Sequence, residues 1–283
     1  MRFLIISDLY YPSKRSGAIL IKDLINELIK KKKKITLLTT SFKKGQKLYE
    51  KKNNFEIYRT PKINLHGNNY ILKGLGQILA FIYLLFVAIF FVKKIDKIFI
   101  YSPPMAFGLF GVFLKKKKIV NIQDFFPQNA IDLGILKNKI IITILKKIEK
   151  IVYNYSDFLL VNSLNSKKYL INKFPQIKDK VIFNYNWVKL NKFKQKKYNK
   201  NKIFKFIFGG SLGPSQDIKK VFNLIKYLNK SCELHIYGNG ISKKGLQKEI
   251  LLNNIKNIKI YEPIPNSKFI KKLQEYDSAL LTL

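Results

Sequence analysis

One pattern constrains this chain more than any other: strand, loop, helix, strand, occurring at the start and again from residue 204. Phe3 to Ser7 is a short, continuous apolar run, as a parallel strand buried on both faces requires. Tyr10 to Gly17 is a loop punctuated by Pro12 and Gly17. Ile19, Ile21, Leu24, Ile25, Leu28 and Ile29 then recur at helical spacing, and Ile35 to Thr40 is the next strand. This is a βαβ unit. The pattern restarts with a strand at Phe204 to Phe208, a glycine-rich turn at Gly209 to Pro214, a helix at Ile218 to Leu228 and a strand at Leu234 to Tyr237. A second glycine turn, Gly238-Asn239-Gly240, precedes a helix at Leu246 to Leu252 and a strand at Ile258 to Tyr261. Between the two repeats, Lys189 to Lys202 is almost wholly Lys, Asn, Gln and aromatic residues. The expected organisation is therefore α/β: a domain over 1–188, a linker over 189–203 and a second domain over 204–283. The chain stops inside an apparent strand that begins at Ala279, so the second domain is expected to be incomplete.

Charge and composition narrow the function classes. The 283 residues carry 54 Lys+Arg against 17 Asp+Glu, a net +37. Such an excess suits nucleic acid, an anionic membrane or phosphorylated substrates. Almost all of it is lysine, because only Arg2, Arg15 and Arg59 are arginines. Bidentate base recognition leans on arginine, so nucleic acid is not the expected partner. Lysine, isoleucine and asparagine are together what an A+T-rich coding sequence supplies. A single cysteine, Cys232, and two distant histidines, His66 and His235, give no set of Cys and His ligands for a structural zinc ion, and no metal is expected. His235, on an expected strand, is read as a core histidine. The apolar start is interrupted by Asp8, too early for a secretory signal.

The middle of the first domain carries the most apolar segment. Ile78 to Val92 runs fifteen residues with no charge, and lysines flank it at Lys73, Lys93 and Lys94. That is short of the roughly 20 residues needed to cross a bilayer. A buried helix, an interfacial helix and a spanning helix all remain open; the interfacial alternative would place Ile78, Phe81, Leu85, Phe86 and Phe90 against lipid.

Two places suit chemistry. The strand Ile119 to Ile122 runs directly into Gln123-Asp124-Phe125-Phe126-Pro127, and ligands of open α/β sheets bind outside the carboxyl ends of strands. Asp124 is thus either a functional carboxylate or a helix cap. The glycine turn at Gly209 to Gly213 would let the backbone approach a phosphate at a helix N-terminus, or is simply a tight β–α turn. Gly17 is a similar feature in the first unit.

Several motifs in order resemble the bacterial glycosyltransferases of family 4, within the branch that builds O-antigen, colanic acid and capsule. They are Tyr10-Tyr11-Pro12 with Gly17, Ser102-Pro103-Pro104, Asp124-Phe125-Phe126-Pro127-Gln128 with Leu133-Gly134, Glu149 followed by Ser156-Asp157, Asn186-Trp187-Val188, Gly209 to Gly213 with Gln216, Tyr237 to Gly240, and Tyr276-Asp277. The resemblance implies the GT-B fold, two Rossmann-like domains facing across a cleft. It implies a retaining transfer of a sugar from a nucleotide-sugar, usually UDP-linked, to a lipid-linked acceptor, without a metal or other cofactor. It places Gly17, Gly210, Ser211, Gly213, Gln216 and Gly238 around the donor and Asp124 on the acceptor side, as the catalytic carboxylate. A polyprenyl-diphosphate acceptor and a peripheral position on the cytoplasmic face of the inner membrane follow from the same likeness. The competing expectation is a lysine-rich membrane-surface or nucleic-acid-binding protein without catalysis. The family's second acidic motif and closing helix would lie past Leu283. Asp217 stands where the branch has glycine, facing a diphosphate.

Overall fold

The computed structural model describes residues 1–13, 15–63, 70–188, 203–213, 217–228 and 231–282. It divides the chain into two compact units, Met1–Lys189 and Leu190–Leu283. Apart from Ile203, the expected linker lies outside the described residues.

The first unit is built on an eight-stranded sheet. Its strands are β1 (Arg2–Ile6), β2 (Lys34–Thr39), β3 (Tyr49–Lys52), β4 (Phe55–Arg59), β5 (Lys97–Ser102), β6 (Lys117–Ile122), β7 (Phe158–Val161) and β8 (Val181–Phe183). Their order is β3-β4-β2-β1-β5-β6-β7-β8, parallel throughout except for the antiparallel β3–β4 pair. The inner strands have both faces covered, which is why they read as continuous apolar runs, whereas the edge strand β3 is exposed throughout. Leu4, Ile6, Ile98, Ile100, Val120 and Leu159 point into one core. Ile5, Leu37, Phe99 and Tyr101 point into the other, against Ile21 and Ile25 of α1 (Ser16–Lys30). The first core is roofed by α2 (Tyr70–Phe90), a 3-10 turn at Met105–Leu109, α3 (Phe110–Phe113), α5 (Lys139–Tyr155) and α6 (Leu164–Lys173), with the short α4 (Gln128–Asp132) beside them. Phe107 and Phe110 are fully buried there; truncating either to alanine would cost about 3–5 kcal/mol. Asn138 caps α5, its side chain accepting from the amides of Ile140 (3.0 Å) and Ile141 (3.1 Å).

The second unit holds β9 (Phe204–Ser211), α7 (Ile218–Leu228), β10 (Cys232–Asn239), α8 (Lys243–Leu252), β11 (Ile258–Tyr261), α9 (Asn266–Lys272) and β12 (Ser278–Ala279). Its parallel sheet runs β11-β10-β9-β12. α7 and α8 cover one face with Ile218, Phe222, Ile225 and Leu246. Phe269 of α9 joins Ile207, Tyr237 and Tyr276 on the other.

Two expectations need correcting. The helix expected at 78–92 begins earlier, at Tyr70, and ends at Phe90. Neither glycine turn in the second unit starts where the glycines do. Gly209, Gly210 and Ser211 lie inside β9, paired with Tyr237, Gly238 and Asn239 of β10. A Cβ on Gly238 would collide with the Gly210 carbonyl oxygen, so the glycines serve a close approach of two strands. The chain turns only after them, at Leu212 and Gly213.

Candidate active site

Both sheets are wound outward from an inner strand. In the first unit the chain passes from β1 to β2 and β4 on one side, then returns to β5, β6, β7 and β8 on the other. The order reverses between β1 and β5, and that is where an open α/β sheet has its crevice. Three side chains meet at its carboxyl end. Asp8 follows β1, Tyr101 is near the end of β5, and Asp124 follows β6 by two residues. Tyr101 is buried, and its phenol pKa is pushed far up, first by burial and then by the charges of Asp8 and Asp124. Asp124 stays open to solvent on one side, yet the protein packed around it raises its carboxyl pKa by desolvation.

Gly17 sits in the first turn of α1, directly against this cluster. A Cβ there would lie 2.6 Å from the Tyr101 hydroxyl and 2.7 Å from Leu9 Cδ1. The glycine therefore lets Tyr101 pack beneath the helix N-terminus. The expected ligand contact at Gly17 has a structural counterpart in this contact.

The loop that carries Asp124 is held from several directions. The Gln123 amide N–H donates to the Ser102 carbonyl (2.9 Å). The Gln123 and Asn186 side-chain amides pair reciprocally, at 2.9 and 2.8 Å. Phe125 packs on Tyr169, ring centroids 4.8 Å apart. Behind it, Lys173 Nζ donates to the Tyr169 hydroxyl (3.2 Å) and to Glu149 Oε2 (3.1 Å), and Glu149 is fully buried. Burial alone would lower the Lys173 pKa; Tyr169 and Glu149 outweigh it and hold the ammonium above its ordinary value.

A cavity of about 140 Å³ opens beside the cluster, between the carboxyl ends of β1 and β2 and the loop after β4. Asp8, Tyr10, Ser13, Arg15, Thr40, Phe42 and Lys62 line it. Lys62 Nζ donates to the Phe42 carbonyl (2.7 Å). A carboxylate, two cations and two aromatic rings together suit a polyhydroxylated ligand carrying negative charge.

In the second unit the order reverses between β9 and β12. Gly210, Ser211 and Gly213 reach the carboxyl end of β9, and Gly238 lies beside Gly210 in β10. Gly210 is exposed, and a Cβ there would meet nothing nearer than the Phe208 ring at 3.3 Å. Gln216 lies outside the described residues. Asp217, the departure facing an expected diphosphate, is paired with Lys220 (2.7 Å). His235, the expected core histidine, is half-buried, with Nδ1 2.7 Å from the Tyr276 hydroxyl.

The expected lipid-contact residues divide. Ile78, Phe86 and Phe90 are exposed on α2. Phe81 and Leu85 are half-buried and pack on the core, Phe81 edge-on to Phe110 at 5.2 Å. Ala80, Leu84 and Ala88 close the buried face. Among the described residues, no helix is long and apolar enough to cross a membrane.

No family model and no curated protein sequence matches this chain. Solved structures do. The sucrose-phosphate synthase of Thermosynechococcus elongatus superposes with a TM-score of 0.75 at 10% identity, over 99% of this chain and 75% of that one. The trehalose-6-phosphate synthase of E. coli, bound with UDP-2-fluoro glucose, gives 0.69 at 10% identity, over 100% and 78%. The lipopolysaccharide outer core galactosyltransferase WaaB gives 0.62 at 13% identity, over 99% and 74%. The likeness establishes the fold: the chain adopts the α/β architecture of the GT-B glycosyltransferases.

Proposed function

We propose that this chain is a glycosyltransferase that moves a sugar from a UDP-linked nucleotide-sugar to a lipid-linked acceptor, with retention of configuration. One observation carries the proposal: on a GT-B fold, the switch point of the first sheet holds a carboxylate of raised pKa, Asp124, beside a polar cavity and a buried tyrosine. The E. coli neighbour is bound with UDP-2-fluoro glucose, which supports a UDP-sugar as donor. WaaB is a lipopolysaccharide galactosyltransferase, which supports a lipid-bearing acceptor.

In this assignment the cavity at Asp8, Arg15 and Lys62 takes the polar head of a polyprenyl-diphosphate acceptor. Asp124 accepts a hydrogen bond from the attacking acceptor hydroxyl and orients it. The exposed Gly210 and Ser211 and the half-buried Gly213, with Gln216, receive the donor diphosphate, where a helix N-terminus and lysines offset the leaving group's charge. The exposed side of α2 seats the chain on the cytoplasmic face of the inner membrane.

The test is release of nucleoside diphosphate from a panel of nucleotide-sugars, with lipid extract from the native membrane present. UDP release that depends on extract, and that falls at least a hundredfold in Asp124→Ala, is the expected result. No release from any donor would overturn the assignment. Release that Asp124→Ala leaves unchanged would remove Asp124 from the site.

A further inference from the structure

The roof of the first core has, among the described residues, an exposed apolar outer surface that continues past α2. On α2, Leu79, Ile82 and Phe86 are all more than half exposed. Phe81 then touches Phe113 of α3, whose ring is 54% exposed. α3 in turn packs on α5. There Ile140 is 73% exposed and Ile144 52%.

The geometry of α5 fixes which way those isoleucines point. Val152 fills the space over Gly108 in the 3-10 turn, the element on which α2 also packs. Tyr153 stands on the opposite edge, against Phe174 (5.3 Å). At 3.6 residues per turn, Ile140, Ile144, Ile151 and Tyr155 form a stripe adjoining the Val152 edge, on the α2 side. Lys139, Lys146, Lys147 and Lys150 occupy the remaining arc and are exposed. α5 therefore has three sectors: a core face, an exposed apolar stripe and a lysine face.

We propose that α5 is the second limb of a membrane-contact surface, so that an anionic bilayer meets two helices bridged by Phe113. This rests on the membrane-surface assignment of α2 made above. Contiguous apolar patches beyond roughly a few hundred Å² are rare on monomers. Charge decides the occupant. α2, α3 and α5 carry one carboxylate between them, Glu149, and it is fully buried against Lys173. Their margins carry exposed lysines at Lys93, Lys94, Lys115 and Lys116. A second copy of the chain would bring two such rims together against mutual repulsion. Anionic headgroups would neutralise them while the stripe enters the acyl boundary.

The experiment is co-sedimentation of the full chain with vesicles, either phosphatidylcholine alone or an equimolar phosphatidylcholine–phosphatidylglycerol mixture. The paired variants are Ile140→Glu/Ile144→Glu on α5 and Ile82→Glu/Phe86→Glu on α2, each checked by thermal unfolding. Each is expected to weaken binding to the mixed vesicles by about tenfold or more. Lys146→Gln/Lys147→Gln, which leaves the stripe intact, is expected to weaken binding only to the mixed vesicles, by roughly fivefold per lysine. If the α5 isoleucine pair binds like the parent while the α2 pair does not, the second limb is refuted and α2 stands alone. If the parent binds neither vesicle, the membrane assignment itself fails. If the α5 pair abolishes a concentration-dependent dimer and leaves vesicle binding untouched, the occupant is a second copy, and the proposal is overturned.

Discussion

The two units bring glycine to their crevices by different elements, Gly17 in the first turn of α1 and Gly210 inside β9. In the first, Gly17 faces inward, where any side chain would meet the Tyr101 hydroxyl. In the second, Gly210 is exposed and a Cβ there would touch only the edge of the Phe208 ring, at 3.3 Å, while its neighbours face packed atoms: Gly209 the Phe269 ring and Gly238 the Gly210 carbonyl. The material behind the two crevices differs as well. The first rests on a buried ion pair, Glu149 with Lys173, linked through Tyr169 to the Asp124 loop. The second rests on stacked aromatics: Tyr237 and Tyr261 lie parallel at 4.7 Å, flanked by Tyr276 and His235. A glycine near the end of a strand is thus one sequence sign with two physical origins, a side chain packed under a helix start and two strands drawn close. Only an outward glycine is free to serve a ligand.

The largest effect should come from the ion pair. Glu149→Ala takes the carboxylate from Lys173, leaving it the Tyr169 hydroxyl and the Tyr169 and Phe174 rings, and should cost about 3–5 kcal/mol, measured by urea unfolding. A loss below roughly 1 kcal/mol, the range of surface pairs, would show that the pair does not support the first crevice. Next come the glycines. Gly17→Ala should cost about 1–3 kcal/mol by overpacking, and adding Tyr101→Phe should recover part of it by removing the hydroxyl in the way. Gly210→Ala should shift stability by no more than about 0.5 kcal/mol while raising the KM for nucleotide-sugar. Equal losses at the two positions would collapse the contrast between inward and outward glycine.

The aromatic crevice should respond to acid. Burial lowers the His235 pKa, with Glu233 opposing and Lys259 and Lys205 adding to the effect. The folded state therefore favours the neutral ring. That contribution is present above the ordinary imidazole pKa of about 6.5 and is lost as pH falls below it. The stability difference between the parent and His235→Gln should shrink on acidification; a difference independent of pH would contradict this. The smallest effect concerns Asp124. Its carboxyl pKa is raised by desolvation, so ionising it at neutral pH works against folding. Asp124→Asn should be slightly more stable than the parent at pH 7, and the gain should vanish as pH falls through the carboxylate range.

Much of this was legible in the sequence. Period and run length place β1 and β2 within a residue and α1 within three, because both faces of a parallel sheet need apolar side chains. Position after a strand left Asp124 as either a functional carboxylate or a helix cap, and only the family resemblance gave it a role. β3 escaped, since Tyr49 to Lys52 is fully exposed and carries the Glu-Lys-Lys composition of a loop. Its pairing depends on β4, where Tyr49 meets Tyr58 (4.8 Å). Tyr101 escaped for another reason. Inside an apolar strand it looks like filling, and only the strand order brings it to Gly17, Asp8 and Asp124. Glu149 and Lys173 are 24 positions apart, and Gln123 and Asn186 are 63 apart. No local pattern announces such pairs. The glycines inside β9 and β10 were misplaced because glycine signals turns far more often than two strands drawn close.

Trp187 gives the molecule an internal gauge. It is the single tryptophan of the chain, and its indole N–H donates to the Leu20 carbonyl of α1 (2.9 Å) with Phe99 edge-on at 6.5 Å. It follows Asn186, the residue clasped to Gln123 beside Asp124. Its described contacts lie in the first unit, and its emission reports on them. Far-ultraviolet dichroism, which follows the backbone, and near-ultraviolet absorbance, which the 16 tyrosines dominate, weigh both units, so a lag between either trace and the emission during denaturation would date the melting of each half separately. Because the indole is one residue from the Gln123–Asn186 clasp, a ligand that shifts the Asp124 loop should also change its colour, giving a titration that needs no label.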